Sequence, residues 1–250
     1  MRIFARFLRV YMKIALIGYG KMGHMIEQIA LERGHEIVAR IDVGDAFDLQ
    51  GADVAIEFTT PATAEANIRK AWELNVPVIC GSTGWNVAFG NQIAQTDDKV
   101  VVKATDASAL PKNWKFSGTP NRRIVQNEEG KVMLVWSSNF SVGVNIFFEL
   151  NKQLAAAMAQ QPQYTPSIVE THHIHKLDKP SGTAKTLQEA ISHQLSAVRV
   201  PIESIREGEV PGTHTVTWDS EEDTIVITHI AKGRRGFALG AVLAAEQIKN

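Results

Sequence analysis

The chain has 250 residues, 44% hydrophobic and 21% charged, with a formal net charge of −1. That length allows one large domain or two modest ones, and the near-neutral balance argues against a nucleic-acid surface, which needs a basic excess. One cysteine, Cys80, excludes an intrachain disulfide and a multi-thiolate metal site, and suits a reducing, cytoplasmic setting.

No apolar run reaches the length needed to span a bilayer, so no membrane partner is expected. Residues 1–11, MRIFARFLRVY, are apolar and basic, but arginines interrupt them and leave no continuous signal-peptide core. Met12 opens the first convincing strand, so residues 1–11 are expected to be an extension upstream of the folded chain.

Lys13 to Ile17 predicts a short β-strand. Gly18, Gly20 and Gly23 follow as G-x-G-x-x-G, and Met22, Met25, Ile26, Ile29 and Ala30 recur at helical spacing up to a stop at Gly34. His35 to Ile41 predicts a second strand with Asp42 at its end. In a dinucleotide-binding unit the first glycine allows the tight turn. The second lets the backbone approach a pyrophosphate, and the third lets helix and strand pack closely. The helix N-terminus offers free N–H groups to phosphate, and an acid about 20 residues on can accept from the adenosine ribose.

Val54 to Phe58 predicts a buried strand, and TTPATAEANIRKAWELN a helix with Pro61 in its first turn. Val76 to Cys80 is a further strand, followed by GSTGW. Alternating strands and helices imply a parallel sheet, with ligands beyond the carboxyl ends of its strands, where Thr59, Gly81, Ser82 and Thr83 stand. Ser82 and Thr83 suit a cofactor or substrate as well as an ordinary loop, and Cys80 suits the core. Residues from about 96 to 127 break the rhythm; Val100 to Val102 is a strand without an assigned place. Lys131 to Trp136 resumes as a strand, SSNFSVGVN suggests a crossover with Gly143 as a hinge, and Asn145 to Met158 a helix.

The second half changes rhythm. SIVETHH predicts a strand, and SGTAKTLQEAISHQL a helix opened by Ser181, Gly182 and Thr183. Three strands are expected near 204–206, 213–218 and 224–230, then a final helix in GFALGAVLAAEQIKN. The whole is α/β: a Rossmann-like parallel-sheet cofactor domain plus an α+β substrate domain with a mixed, open sheet.

Three chemistries compete for ETHHIHKLDKPSGTAK (residues 170–185): a metal site, an anionic-substrate site that supplies protons, and a hydrated strand end. Strand alternation puts His173 and His175 on one face and His172 on the other. A catalytic zinc needs three converging ligands, so no metal is expected. The anion reading uses more of the stretch. Imidazolium and ammonium groups donate to carboxylates and deliver protons near neutral pH, and the Ser181 turn opens a helix. A hydride-carrying domain beside such a site makes a reductase of a small acid with a C=C or C=N bond.

ETHHIHKLDKPSGTA resembles the signature of the 4-hydroxy-tetrahydrodipicolinate (dihydrodipicolinate) reductase family of bacterial lysine biosynthesis. IGYGKMG resembles its dinucleotide loop, GSTGW its G-T-T-G segment, SSNFSVGVN its crossover, and GTHTV and ITHIAKGRRGFALGAVLAA its C-terminal segments. The resemblance runs from about residue 12 to the C-terminus, with a longer stretch than usual between GSTGW and SSNFS.

It implies that Gly18, Tyr19, Gly20, Lys21, Met22 and Gly23 hold the pyrophosphate and Asp42 the ribose. Gly81, Ser82 and Thr83 would line the nicotinamide, completed by Ser137, Ser138, Asn139 and Phe140. His172 would be the proton donor/acceptor and Lys176 the proton donor. His173, Ser181, Gly182 and Thr183 would bind the carboxylates of a cyclic imine. The C-terminal helix would return to the cofactor domain, giving 12–138 with 232–250 as cofactor domain and 139–231 as substrate and oligomerisation domain, in a homotetramer. Asp42, with Val43 where many members carry arginine, favours NADH over NADPH; Arg40, on the face of Asp42, would soften the repulsion of a phosphate. Two other classes compete, an amino-acid-dehydrogenase-like oxidoreductase and a non-catalytic dinucleotide sensor. The sensor has no need of a proton donor beside a carboxylate cradle.

Overall fold

The structure, a computed structural model, describes residues 10–83, 85, 93–94, 101–102, 115–119, 122–195 and 200–249. The chain divides into two compact units, Met1–Ser138 with Ala238–Asn250, and Asn139–Phe237.

Unit 1 starts with β1 (Lys13–Ile17), α1 (Lys21–Glu32) and β2 (Glu36–Ile41). Then come β3 (Val54–Glu57), α2 (Ala64–Glu73) and β4 (Val78–Cys80). A short pair, β5 (Ile93–Ala94) and β6 (Val101–Val102), precedes β7 (Lys115–Thr119), β8 (Arg122–Gln126) and β9 (Val132–Ser137). The large sheet has the order β2-β1-β3-β4-β9-β8-β7. The strands from β2 to β9 are parallel, and β8 and β7 add an antiparallel edge. Near-continuous apolar runs in β1, β3 and β4 fit a sheet buried on both faces.

Several local expectations shift. Pro61 lies in the turn before α2, where the Thr60 carbonyl accepts from the N–H groups of Thr63 and Ala64. Part of the stretch 96–127 lies outside the described residues, but its end forms β7 and β8. These hairpin strands escape a search for apolar runs because β8, RRIVQ, is polar and lies near the sheet edge. Arg123 stacks on Trp136, 5.2 Å from its ring centre. The expected strand Val100–Val102 becomes β6, paired with β5.

Unit 2 contains α3 (Val142–Met158), β10 (Thr165–His172), α4 (Gly182–Gln194), β11 (Ile202–Arg206), β12 (Thr213–Asp219) and β13 (Thr224–Ile230). Its mixed sheet has the order β11-β10-β12-β13, with β10 and β11 parallel and the remaining pairs antiparallel. One face packs on α3 and α4 through Phe147, Ala155, Ile168, Leu187, Ile191, Val216 and Trp218. Asn151 Nδ2, fully buried, donates to the Leu187 carbonyl and ties the two helices. Gly143, the expected hinge, sits in the first turn of α3, where an added Cβ would lie 3.1 Å from His229 Nε2. The last helix, α5 (Arg235–Lys249), spans the boundary, and its Glu246 pairs with Arg33 and His35 inside unit 1.

Candidate active site

In unit 1 the glycine loop is built as its spacing predicts. Gly18 takes φ +90, and a Cβ there would run into the Phe58 carbonyl. A Cβ on Gly23 would run into the Gly18 carbonyl. Gly20 differs: its added Cβ meets nothing within 4 Å. It is the N-cap of α1 with no side-chain cap and no acidic residue in the first turn, so the helix end keeps N–H groups for an outside acceptor. An open cradle over uncapped N–H groups fits a pyrophosphate. Lys21 is exposed beside it and Met22 half-buried.

Tyr19 is drawn into a cluster that the sequence did not suggest. Its hydroxyl donates to Glu27, which also accepts from Arg40, whose guanidinium lies 5.8 Å from the Tyr19 ring centre. The Arg40 hydrogen bond holds the Glu27 carboxyl below its ordinary value, against the opposing effect of burial. Arg40 is therefore committed to Glu27 rather than left to Asp42. Asp42 is exposed at the end of β2, and its carboxylate accepts from the Val43 N–H at 2.9 Å.

Beyond β3 and β4 a buried carboxylate organises the next loop. Glu57 is fully buried and accepts from the N–H and hydroxyl of Thr59, the Ser82 hydroxyl and the Cys80 thiol. Burial, then Glu57, pushes the thiol well up, so Cys80 is a core group. The Ser82 carbonyl accepts both the Trp85 and Trp136 indole N–H groups, each at 2.7 Å. This leaves Thr83 exposed and packs Gly81 against the Phe58 ring. Ser137, buried, closes β9, and Ser138 follows it.

In unit 2, Asn139 Nδ2 donates to Thr183 Oγ1 at 3.4 Å, and Phe140 is buried behind it. Ser181 caps α4, accepting from the Ala184 N–H, with Gly182 exposed and Thr183 half-buried. The histidines part company. β10 ends at His172, so His173 and His175 follow the strand rather than alternate within it. Their rings still stand 6.0 Å apart, and His175 is exposed, paired with Glu209 at 3.1 Å. Burial, opposed by Glu209, lowers the His173 pKa. Lys176 Nζ pairs with Asp178 Oδ1 at 2.7 Å.

His172 is 7% exposed, and its Nδ1 lies 3.1 Å from Glu170 Oε2. On the neighbouring strand His214 packs edge-on, its ring centre 4.9 Å from that of His172. A Cβ on Gly212 would stand 3.0 Å from His172 Nε2. Glu170 Oε1 accepts from the Ser181 N–H at 3.0 Å and from Arg206 Nη2 at 3.1 Å. Burial opposes the charge on Glu170, but the His172 and Ser181 contacts outweigh it and hold the carboxyl well below its usual range. Burial, then His172, pushes His214 down to about 4.

Ligand atoms of Glu170, His172 and His214 lie within 4.8 Å of one another, close enough to hold a metal ion. Arg206 pairs with Glu170 Oε1 at 3.1 Å and Ser181 Oγ lies 3.2 Å from His214 Nε2, while Glu170 Oε2, His172 Nδ1 and His214 Nδ1 are buried without a hydrogen-bond partner among the described residues. Glu170, Arg206 and His214 were not singled out from the sequence. Glu170 stood two residues before His172, on the same strand face, a signal that alternation supplies. Arg206 and His214 come from other strands, and only the sheet order brings them near.

A parallel sheet with an open glycine loop at its first turn, in one chain with a histidine–lysine site, is the make-up of a dinucleotide-dependent oxidoreductase. Two family models match: dihydrodipicolinate reductase, N-terminus, over residues 12–107, and dihydrodipicolinate reductase, C-terminus, over residues 143–250. A 4-hydroxy-tetrahydrodipicolinate reductase of Christiangramia forsetii is 42% identical over 96% of this chain and 93% of its own. One of Thermosipho africanus is 32% identical over 96% and 92%. A solved dipicolinate-bound dihydrodipicolinate reductase from Paenisporosarcina sp. TG-14 matches the fold, with a TM-score of 0.66 at 17% identity over 96% of this chain and 95% of that one. The chain belongs to the dihydrodipicolinate reductase family, and it is an oxidoreductase that uses a nicotinamide cofactor.

The two loop glycines separate fold from binding. Gly20→Val is expected to leave the melting temperature unchanged and weaken NADH binding about tenfold or more, roughly 1.4 kcal/mol. Gly18→Ala is expected to lower the melting temperature, because φ is positive and the space is filled. Calorimetric titration beside thermal melts checks both. Unchanged NADH affinity in Gly20→Val removes the loop from the cofactor site.

Proposed function

We propose that the protein reduces the cyclic, conjugated imine dicarboxylate of the diaminopimelate route to tetrahydrodipicolinate, with Lys176 as proton donor and His172 as its acid/base partner. The observation that carries this reading is the network around Glu170, which links His172 and the Ser181 turn and, through Arg206, the backbone of the Lys176 turn. Gly18 to Gly23 would hold the pyrophosphate, Asp42 the ribose, and Gly81 to Thr83 with Ser137 to Phe140 the nicotinamide. When bound, the reduced nicotinamide supplies hydride.

The chain's own residues do the rest. His173 and the helix start at Gly182 and Thr183 bind the two carboxylates through N–H and hydroxyl donors, with the buried Ser181, whose N–H is held by Glu170, fixing that turn. The ammonium of Lys176, paired with Asp178, faces the negative charge that develops in the conjugated system and gives its proton to the neighbouring carbon. Loss of substrate-binding donors such as Thr183 acts mainly through KM.

NADH is the preferred cofactor. Asp42 repels a ribose 2′-phosphate, and Arg40, which would soften that repulsion, is held by Glu27. Several copies assemble, as a homotetramer, through the sheet face opposite α3 and α4, where Ile205, Val226 and Ile230 are exposed. The setting is the cytoplasm, in keeping with a single, buried cysteine.

The test is loss of the nicotinamide absorbance when the protein meets freshly made substrate. A higher kcat/KM with NADH than with NADPH is expected, and the reverse order contradicts the Asp42 reading. Activity lost to a chelator and restored by zinc would turn the histidine network into a metal site.

A further inference from the structure

The chemistry above needs the Lys176 amine, the His172 ring and the Ser181 turn held in one arrangement. They come from the turn after β10, the end of β10 and the start of α4. Two of them meet at one carboxylate. Glu170 Oε1 accepts from the Ser181 N–H at 3.0 Å and from Arg206 Nη2 at 3.1 Å, and Oε2 faces His172 Nδ1 at 3.1 Å.

Arg206 extends that hold to the third part. Its Nη2 also donates to the Asp178 carbonyl at 2.6 Å, its Nε to the Lys176 carbonyl at 3.3 Å, and its Nη1 to the Ile205 carbonyl at 2.7 Å. The planar guanidinium aims its donors in fixed directions, so it sets the positions of these acceptors relative to each other. It grips the backbone of the turn, while the Lys176 side chain itself pairs with Asp178 at 2.7 Å. The Glu170 side chain is 0% exposed and that of Arg206 13%. For stability alone a well-packed apolar pair would serve as well.

We propose that Glu170 and Arg206 form a positioning pair: Arg206 clamps the carbonyls of Lys176 and Asp178 to the buried Glu170 carboxylate and so fixes where the Lys176 amine stands relative to His172 and the carboxylate-binding turn. This rests on the proton-donor reading of Lys176. Both members act through other residues.

The test uses Arg206→Ala, Arg206→Lys, Lys176→Ala and the double variant Arg206→Ala with Lys176→Ala, all in the full chain. A misplacement of about an ångström costs on the order of 10²-fold in rate, so kcat of Arg206→Ala should fall by about that factor with NADH affinity unchanged. Arg206→Lys should stay low, because one ammonium cannot reach the same acceptors. Millimolar guanidinium should restore Arg206→Ala by about tenfold. In the Lys176→Ala background, Arg206→Ala should cost less than about twofold more, because the two residues act as a unit. Independent, multiplying losses would overturn the proposal, as would wild-type kcat in Arg206→Ala. If Arg206→Ala does not fold, Arg206→Lys decides: an unchanged kcat overturns the proposal. If Lys176→Ala keeps full kcat, the proton-donor reading fails, and the positioning pair with it. If Lys176→Ala is inactive while the Arg206 variants keep their kcat, the positioning pair alone fails.

Discussion

Lys176→Ala is expected to lower kcat by about 10²- to 10⁴-fold and leave NADH affinity unchanged, the usual worth of a positioned acid. The lysine ammonium is compact and has a mobile stem, which suits delivery of a proton to carbon from a fixed turn. Its Nζ stands 2.7 Å from Asp178 Oδ1. His172→Ala is expected to lower kcat strongly as well, and its loss opens a space beside Glu170 and Gly212. Single-turnover kinetics with saturating NADH separates chemistry from binding. A Lys176→Ala enzyme with near-normal single-turnover rate would remove the lysine from proton delivery.

Glu170→Ala is expected to destabilise the fold by about 3–5 kcal/mol, the cost of leaving one partner of a buried ion pair uncompensated. For a chain of this size that corresponds to a fall of roughly 6–20 °C in melting temperature. The pH dependence carries a sign. The folded Glu170 carboxyl lies below its unfolded value, so its contribution is present above the ordinary carboxylate range and is lost as pH falls through and below it. His214 acts in the same direction but earlier. Its folded value is about 4 against an ordinary 6.5, so the unfolded chain takes up a proton that the fold refuses, and stability declines as pH falls from about 6.5 to about 4. Melts across this range should show the parent losing stability from near neutrality downward, with Glu170→Ala flatter than the parent below about pH 4. Equal slopes in that acid limb would contradict the assignment.

The parallel half of unit 1 was legible because buried strands, glycine spacing and helical periodicity agree there. β1, α1 and β2 fall within a residue or so of their expected limits. β7 and β8 were not legible, since a polar hairpin gains its place from pairing with β9 rather than from its own pattern. The histidine stretch announced a site but not its arrangement. Alternation was extended past His172, where the chain leaves the sheet, and so His175 was given a face that it does not have. Arg40 shows the same limit: its neighbour in sequence is Asp42, but its partner in space is Glu27 on α1, 13 residues earlier. Family resemblance supplied roles for single residues. It could not supply the carboxylate that joins them, because register between strands is not written in any one strand.

The link between Glu246 and the pair Arg33 and His35 has a bearing on how the chain is made. His35 and Glu246 stand 211 residues apart, and all of unit 2 is encoded between them. At about 5–20 residues per second, a ribosome takes roughly 10–40 s to cover that distance. During that time the first strands and α1 exist without the last helix, and nearly all of Asn139–Phe237 is made before Glu246 is reached. The unit that begins synthesis first is thus the one that finishes last. Chains truncated shortly before residue 246 and released from the ribosome should hold a protease-resistant second unit beside a still-sensitive first one.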